Sequence, residues 1–359
     1  MDPNQNQGEA NVVFEAQALV YRCVNNYATS MSLGCALELG IPDIVHNYGK
    51  PITIQELVSK LNLPIDKTGH LQQLMRLLIH FNFFSVTKLH DQDDEGYVLT
   101  AASKLLLNDT SKNSQNLLPF VSLALDPVIM TPWRFLGKWF KGNESTVFET
   151  AHGIPFWEFA NRNPVFNGRF NDAMASDSHL MSLVIKDCQE IFEGVESLVD
   201  VGGGTGLNTK ILLEAFPHMT CTVFDLPHVV ADMSETMNLK YVGGDMFSTI
   251  PSADAIFFKN VLHNWSDDDV LKILKRSREA IRFAGDKGKV IIIDMVLDEK
   301  QDRREITETK MVFDVLMMVL VTGKERTKVE WEKLFVEAGF SRYNVTPNFG
   351  LRSLMEVFP

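Results

Sequence analysis

The spacing of apolar residues predicts that the chain begins with helices and a short hairpin. Helical periodicity predicts three helices, over Val12–Leu39, Ile54–Leu61 and Lys67–His80. Thr53 is the predicted cap of the second helix, and Gly40-Ile41-Pro42 is predicted to end the first. Two strands are predicted at Phe81–Val86 and Tyr97–Leu99, around an acidic tip at residues 91–95. Three helices followed by a hairpin are the order of a mostly helical winged-helix domain.

The pattern of Leu117–Phe192 predicts short helices that form a connector. Prolines such as Pro127 and Pro155 interrupt it, and large aromatic residues such as Trp157 and Phe170 are frequent. Such side chains either fill a core or wall a pocket for a flat aromatic ligand, and the pattern leaves both readings open.

From Ser197 onward, short apolar runs alternate with helical segments. The predicted strands are Ser197–Val201, Thr220–Phe224, Leu239–Gly243, Ala255–Lys259 and Lys289–Leu297. The predicted helices are Asn208–Phe216, Asp267–Phe283 and Lys328–Gly339. A closing antiparallel hairpin is predicted from Arg342–Thr346 and Ser353–Phe358. This alternation predicts an α/β fold with a Rossmann-like, doubly wound parallel sheet, whose ligands bind beyond the carboxyl ends of the strands.

A glycine-rich loop follows the first of these strands and predicts a cofactor site. After Leu198–Val201 the chain reads Gly202-Gly203-Gly204-Thr205-Gly206, and Asp225 ends the next strand. Glycines let the backbone approach a ligand closely, and an acid at that distance suits a ribose diol. Neither Gly202 nor Gly204 starts a G-x-G-x-x-G sequence, which opposes a nicotinamide dehydrogenase. The remaining alternatives are an adenosine-type cofactor without a pyrophosphate and a plain glycine-rich turn.

Further polar residues follow the later strands. Taken alone, Asp245 and Met246 indicate a turn acid and a core methionine, but their register with Gly202 and Asp225 favours a contact with an adenine. Lys259 and His263 interrupt an apolar run, and the ordinary pKa of histidine, near ~6.5, suits a base at neutral pH. Two acids, Asp294 and Glu325, are candidates to orient that histidine.

Charge and composition exclude several classes of function. The net charge is −12, and residues 1–120 hold more acidic than basic side chains, which opposes nucleic-acid binding by the winged helix or contact with an anionic membrane. The apolar stretch Met311–Val321 is short and contains Asp314, so no membrane span is predicted. The start of the chain is polar and unlike a secretory signal. The cysteines show no CxxC pair and are predicted to be buried free thiols of a cytoplasmic protein: Cys23, Cys35, Cys188 and Cys221.

Nearly the whole chain resembles the plant S-adenosyl-L-methionine-dependent O-methyltransferases that act on small phenolics, of the caffeic acid and flavonoid type. The matching stretches are Leu198–Gly206, Phe224–Val229, Gly243–Phe247, Lys259–Asp267, Gly323–Thr327 and Gly350–Pro359. The resemblance implies that S-adenosyl-L-methionine is the cofactor and S-adenosyl-L-homocysteine the product. The implied cofactor-binding residues are Gly202, Gly204, Asp225, Leu226, Asp245, Met246 and Lys259. His263 is then the base, with Asp294 and Glu325 flanking it. Many members have Glu where this chain has Asp294, and Asp where it has Asn264, so which acid orients His263 stays open.

The acceptor is expected to be a flavonoid, an isoflavonoid or a stilbene, because the Phe313–Met318 stretch is most similar to the isoflavone and stilbene subgroup. Candidate acceptor-site residues are Met174, Asn264, Met311, Met317 and Met318. Core packing is the alternative role for the methionines. The reaction needs no metal, and no metal ligands are predicted. Alternatives are another phenolic class, such as a phenylpropanoid or a benzylisoquinoline alkaloid, and a non-catalytic cofactor-binding subunit, which the presence of His263 opposes.

Two domains are predicted. Residues 1–115 form an N-terminal winged-helix-like dimerisation domain, and residues 116–359 form the catalytic domain, of which 116–195 is a helical connector that walls the acceptor pocket. The exposed apolar surface expected on Val12–Leu39, together with the resemblance, predicts a homodimer. Ser30 and Met31 are the candidates to reach the acceptor pocket of the partner subunit.

Overall fold

The computed structural model of the chain describes residues 3–89, 95–108, 116–179, 181–281, 288–298 and 302–359. It shows two compact units, residues 1–125 and 126–359. In the first unit the helices are α1 Pro3–Asn25, α2 Tyr27–Glu38, α3 Ile41–Tyr48, α4 Ile54–Lys60, α5 Thr68–His80, α6 Ala101–Lys104 and α7 Leu118–Ala124, with a 3₁₀ turn at Ile65–Lys67. Its strands, β1 Phe84–Lys88 and β2 Glu95–Leu99, pair antiparallel. The helix and hairpin order predicted from the sequence is therefore present.

The predicted helix over Val12–Leu39 is wrong in one respect, because it is broken at Asn26 into α1 and α2. The side chain of Asn25 donates to the carbonyl of Tyr21 (2.8 Å), which offers the backbone an alternative to the next helical turn. The predicted stop at residues 40–42 is followed at once by α3, whose cap is Gly40 in the left-handed region. The hairpin begins at Phe84, later than predicted, because Asn82 (φ 59°) closes α5. Residues 91–94 of the predicted acidic tip lie outside the described residues.

The core of the first unit explains why α4 and α5 form where the sequence predicts them. Thr53 accepts from the backbone of Glu56, whose side chain accepts in return from Thr53, so α4 begins with a capping box. Leu57 and Met75 are fully buried in one cluster, which joins these two helices.

The second unit begins with the predicted run of short helices. They are α8 Pro127–Met130, α9 Leu136–Trp139, α10 Val147–His152, α11 Phe156–Arg162, α12 Pro164–Ser178, α13 Met181–Asp187 and α14 Gln189–Phe192, with a 3₁₀ turn at Thr131–Phe135. Many of their aromatic side chains form core, since Phe148, Phe156 and Phe166 are buried.

A seven-stranded sheet in the order β10-β11-β7-β6-β3-β4-β5 forms the centre of the second unit. Its strands are β3 Ser197–Val201, β4 Thr220–Asp225, β5 Leu239–Gly243, β6 Ala255–Lys259, β7 Lys289–Asp294, β10 Arg342–Phe349 and β11 Arg352–Phe358. The strands β3 to β7 are parallel, and the C-terminal hairpin adds two antiparallel strands beside β7. The remaining helices are α15 Leu207–Ala215, α16 Pro227–Val230, α17 Asp267–Ile281, α18 Arg304–Leu320 and α19 Lys328–Glu337. The predicted doubly wound sheet is confirmed.

The predicted strand Lys289–Leu297 divides in two. β7 ends at Asp294, and a separate strand β8, Val296–Leu297, pairs in parallel with β9, Arg326–Thr327. Sequence patterns missed β9, α16 and α18, because a two-residue strand has no periodicity and α18 combines charged and apolar turns. The last two residues predicted for α17 lie outside the described residues.

The prediction that all the cysteines are buried is wrong for Cys23 and Cys35, which are exposed free thiols. Cys23 lies on α1, a helix on which Val20 and Val24 are also more than half exposed. Cys35 lies on α2, but not on the buried side of that helix, where Ala36 lies. Cys188 and Cys221 are buried, as predicted. No helix of the described part of the chain is long and apolar enough to cross a membrane.

Candidate active site

The glycine loop and Asp225 meet at the carboxyl ends of β3 and β4. Gly202 (φ +68°) and Gly204 (φ +55°) both adopt the left-handed region, where a side chain is strained. A Cβ on Gly202 would also stand 2.8 Å from Val261. The carboxylate of Asp225 accepts from the backbone N–H of Gly204 (2.9 Å) and of Leu226 (2.7 Å). These two bonds leave lone pairs of a half-buried carboxylate free at the loop, and such acceptors suit the two hydroxyl donors of a ribose diol.

Asp200, near the end of β3, packs against the glycine loop. It was not among the predicted site residues. It is fully buried, accepts from the hydroxyl of Thr209 (2.6 Å), and would be 2.7 Å from a Cβ on Gly203. Burial raises the pKa of Asp200 to about 7, against the hydrogen bond from Thr209. An acid inside an otherwise apolar strand was the sequence signal for it.

Asp245 and Met246 follow β5, at the same edge of the sheet. Asp245 is exposed, and its carboxylate accepts from the backbone of Phe247 (2.9 Å) and the hydroxyl of Ser248 (3.2 Å). Met246 is partly buried against the core of the sheet. Asp245 thus stabilises its own turn, and the geometry leaves its role toward an adenine a prediction.

Lys259 ends β6 and is held in a buried polar network. Its ammonium donates to Asp177 (2.7 Å), and only 5% of its side chain is exposed. Arg352 and Asn260 contact the same carboxylate. Asp177, Asn260 and Arg352 were not predicted, since they lie on α12, after β6 and on β11, far apart in the chain.

His263 lies on a 3₁₀ turn, Leu262–Asn264, directly after β6. Its Nδ1 donates to Oε1 of Glu325 (2.8 Å), whereas the nearest oxygen of Asp294 is 3.8 Å away. The histidine is 8% exposed, and both carboxylates are fully or almost fully buried. Of the two acids left open by the sequence, Glu325 is the one that makes the hydrogen bond.

The pairing of β8 with β9 explains why the two acids converge. Val296 pairs with Arg326, which places Glu325 beside the end of β7, where Asp294 lies. The backbone N–H of Glu325 donates to Asp314 (2.9 Å), a residue of α18 that the sequence had marked only as an interruption of an apolar stretch.

Arg326 and Gly323 hold the backbone of the histidine turn. Arg326 is fully buried and donates to the carbonyls of Leu262 (3.2 Å) and Trp265 (2.7 Å), on either side of His263. It also donates to the side chain of Asp267 (2.8 Å). A Cβ on Gly323 would stand 1.8 Å from the carbonyl oxygen of His263, so only glycine allows these two segments to touch. Both residues lie in the predicted Gly323–Thr327 motif, but without individual roles.

The charges around His263 favour its protonated form. Burial opposes the imidazolium, but Asp294 and Glu325 outweigh it, so the pKa of His263 is raised above its ordinary value. Burial raises the pKa of Asp294 to about 6, although His263 acts in the opposite direction. Neither oxygen of Asp294 has a hydrogen-bond partner among the described residues. The site is therefore a buried histidine that accepts a proton at low electrostatic cost.

The predicted acceptor-site residues occupy different environments. Asn264 donates to the carbonyl of Asn260 (3.1 Å), so its amide closes the histidine turn. Met317 is buried, whereas Met311 is 44% exposed. Met318 on α18 and Met174 on α12 are half-buried.

The connector reaches the histidine turn through aromatic rings. Trp157 stacks on Trp265 with ring centroids 6.4 Å apart, and Phe170 meets Trp157 edge-on. Within the described part of the chain, no group of three or more His, Cys, Asp or Glu residues is arranged to hold a metal ion.

Comparison with known proteins places this geometry in a family. Residues 133–341 match the model of the O-methyltransferase domain, and residues 21–109 match the O-methyltransferase dimerisation domain. This chain belongs to the O-methyltransferase family. The predicted enzyme class and the predicted methyl donor, S-adenosyl-L-methionine, are thereby confirmed.

Two plant O-methyltransferases match this chain over almost their whole length. The trans-resveratrol di-O-methyltransferase of Vitis vinifera is 49% identical, over 97% of this chain and 97% of that protein. The isoflavone 7-O-methyltransferase of Glycyrrhiza echinata is also 49% identical, with 97% of each chain covered. Among solved structures, CalO1, a methyltransferase in calicheamicin biosynthesis in its SAH-bound form, superposes with a TM-score of 0.78 at 24% identity, over 99% of both chains. This last likeness confirms the fold.

Proposed function

We propose that the protein transfers the methyl group of S-adenosyl-L-methionine to a phenolic hydroxyl of a plant secondary metabolite, and that the acceptor is a flavonoid, an isoflavonoid or a stilbene. The observation that carries the proposal is the buried His263, whose Nδ1 lies 2.8 Å from Glu325 at the carboxyl ends of the strands. The stilbene and isoflavone relatives, each 49% identical, support the acceptor class.

His263 acts as the general base in this proposal. Because Nδ1 donates to Glu325, the neutral ring carries its lone pair on Nε2. A neutral phenol, with a pKa near ~10, is a poor nucleophile, so Nε2 of His263 takes the hydroxyl proton and makes the oxygen a better nucleophile. When bound, the sulfonium cofactor would supply a methyl group activated for displacement, with S-adenosyl-L-homocysteine as the product. Glu325 and Asp294 stabilise the imidazolium that results.

The cofactor is held by the residues at the strand ends. Gly202 and Gly204 let the loop backbone approach it, and Asp225 accepts from its ribose hydroxyls. The remaining contacts are assigned to Leu226, Asp245, Met246 and Lys259. The half-buried Asp225 with its two backbone bonds supports this assignment.

The acceptor lies beside the histidine turn, between α12 and α18. Met174, Met311, Met317 and Met318 of these helices, with Asn264, are assigned to its binding. Thioether side chains adapt to a planar ring, which suits an acceptor of this class.

The test is a turnover screen with methyl-labelled cofactor against stilbenes, isoflavones, flavones, phenylpropanoids and benzylisoquinoline alkaloids. The expected result is labelled ether from a compound of the first three classes, with product analysis to identify the hydroxyl. Asp225→Ala serves as the cofactor control and is expected to raise Kd at least tenfold, about 1.4 kcal/mol. Cofactor binding without labelled product from any phenol contradicts the proposal and favours a non-catalytic cofactor-binding subunit.

The functional unit is a cytoplasmic homodimer in this proposal. The match of residues 21–109 to the dimerisation domain supports the dimer, with Ser30 and Met31 as the residues that reach the partner's acceptor pocket. The exposed free thiols of Cys23 and Cys35 suit a reducing compartment.

A further inference from the structure

A buried ionic network lies beside the histidine turn, and most of it has no part in the mechanism above. The carboxylate of Asp177 receives Lys259 (2.7 Å), Arg352 (2.9 Å) and the side-chain amide of Asn260 (3.3 Å). The charged side chains of Asp177, Lys259 and Arg352 are 9%, 5% and 15% exposed. Buried charges of this kind persist only where they are paired and hydrogen-bonded.

Arg352 is the member that joins the network to the backbone of the site. Its Nε donates to the side-chain oxygen of Asn260 (2.9 Å), and its Nη2 donates to Asp177. A guanidinium holds these two donors in one rigid plane, whereas a lysine ammonium cannot reproduce that fork.

Asn260 is the residue at which the chain turns from β6 toward His263. It adopts the left-handed region (φ 55°), which is uncommon for a residue other than glycine. Its N–H donates to the carbonyl of Ile293 (3.0 Å), and its carbonyl accepts from Asn264 (3.1 Å). The bond from Arg352 therefore fixes the side chain of Asn260, the residue whose backbone is hydrogen-bonded to both β7 and Asn264.

The register of the sheet also places Arg352 beside the acids of the site. Ser353 pairs with Asp294, so Arg352 lies next to the strand position that faces Asp294. The pKa of His263 is set chiefly by burial, which lowers it, and by Asp294 and Glu325, which raise it; the positive charge of Arg352 adds a smaller downward effect.

We propose that Arg352 is a positioning residue for the methyl transfer proposed above. Through Asn260 it fixes the turn that carries His263, and through Asp177 it fixes Lys259 at the cofactor side. Its positive charge acts on His263 in opposition to the charges of Asp294 on β7 and Glu325 before β9. One side chain of the C-terminal hairpin thus couples the cofactor end of the site to the base.

Two substitutions in the full-length protein separate the geometric role from the electrostatic role. Arg352→Gln removes the charge, and Arg352→Lys keeps the charge but loses the fork. Arg342→Gln is the matched control, because Arg342 contacts the Phe358 ring on the same hairpin, away from the site. The measurements are kcat and KM against pH, cofactor Kd by calorimetry, and the titration of His263 by NMR, assigned with a His263→Gln spectrum.

The proposal predicts that Arg352→Gln lowers kcat at least tenfold and moves both the His263 titration and the acid limb of kcat to higher pH, because a positive charge that opposes the imidazolium is removed. Arg352→Lys is expected to lower kcat at least fivefold with the titration close to that of the wild type. Equal titrations for Arg352→Gln and the wild type, or kcat values within twofold for both variants, overturn it.

A second variant keeps the test decisive if Arg352→Gln does not fold. Asn260→Gly retains the left-handed backbone but removes the contact with Arg352. If Arg352 acts through Asn260, the double variant Asn260→Gly/Arg352→Lys loses no more activity than the worse single variant, and additive losses contradict this. The NMR titration and the cofactor Kd need no turnover, so they judge the role of Arg352 even if no phenol is methylated.

Discussion

His263 is hydrogen-bonded to Glu325, and the negative charges of two buried acids, Glu325 and Asp294, act on its ring. Glu325 orients the ring through Nδ1, whereas Asp294, 3.8 Å away, acts on it through charge alone. The two acids therefore have different tasks, since Glu325 orients the ring and Asp294 contributes charge. Because the two distances differ, we expect neutralising each acid to lower kcat by a different factor.

We expect Glu325→Gln to reduce kcat by about 10- to 100-fold, because a neutral amide orients the ring but stabilises the imidazolium poorly. Asp294→Asn is expected to cost less, since it makes no hydrogen bond to the ring. Steady-state kcat at pH 8, with cofactor Kd as the folding control, checks the order. A larger loss for Asp294→Asn would contradict the assignment of Glu325 as the acid that contributes most to His263.

The raised pKa of His263 fixes the direction of the pH dependence. The base must be neutral to take a proton, and its folded pKa lies above the ordinary value near ~6.5. Activity is therefore expected to fall as pH drops through that raised pKa, with the acid limb above ~6.5, and Glu325→Gln should move the limb down. A kcat profile measured in buffers of constant ionic strength checks this. An acid limb well below ~6 in the wild type contradicts the assignment.

Among the elements of the fold, the segment from Gly323 to Arg326 holds the turn that carries His263. Glu325 holds the ring, Arg326 holds the carbonyls on both sides, and Gly323 packs directly on the backbone of the turn. The short strands β8 and β9 pair in parallel over two residues each, and this pairing positions the segment beside the end of β7.

Gly323→Ala is expected to destabilise the protein and to abolish most activity, because the new Cβ would lie 1.8 Å from a backbone oxygen that cannot move away freely. We expect a loss of about 2 kcal/mol or more, the scale of overpacking in a tight site. Gly137→Ala in α9, where a Cβ meets nothing within 4 Å, is the control and should be neutral or slightly stabilising. Thermal unfolding of both variants provides the comparison, and equal melting temperatures would contradict the contact.

The sequence predicts the elements that carry their own periodicity and the site residues that stand at the ends of those elements. Asp225, Lys259, His263 and Asp294 follow apolar runs, so their common edge of the sheet is deducible. The contacts that hold them are not deducible, because Asp177, Arg326 and Arg352 approach from segments whose distance depends on the finished fold. The short strand β9 has no pattern of its own and was missed for the same reason.

At the scale of the whole molecule, the first helix leaves a row of apolar side chains exposed. Val13, Phe14 and Val20 of α1 are 65%, 65% and 56% exposed. Apolar surface of this extent on one helix is typical of an interface, and the dimerisation-domain match begins at residue 21 of the same helix, so we expect α1 to take part in the dimer contact.

A Val13→Glu/Val20→Glu variant is expected to shift the protein from dimer to monomer and to impair acceptor binding, with cofactor Kd unchanged. Ile65→Glu is the control, since Ile65 is 88% exposed at a 3₁₀ turn of the same unit. Sedimentation velocity with parallel KM measurements checks both effects. A dimer that persists in the double variant, or a fully active wild-type monomer, would rule out this interface.

The role of His263 as the general base is tested most directly by comparing His263→Gln with the wild type in two assays on the same preparation. We expect calorimetry to give a cofactor Kd within about twofold of the wild type, while transfer of the labelled methyl group to the best phenolic acceptor at pH 7 falls by about 10²- to 10⁴-fold. Retention of wild-type turnover by His263→Gln would remove this histidine as the base and contradict the account.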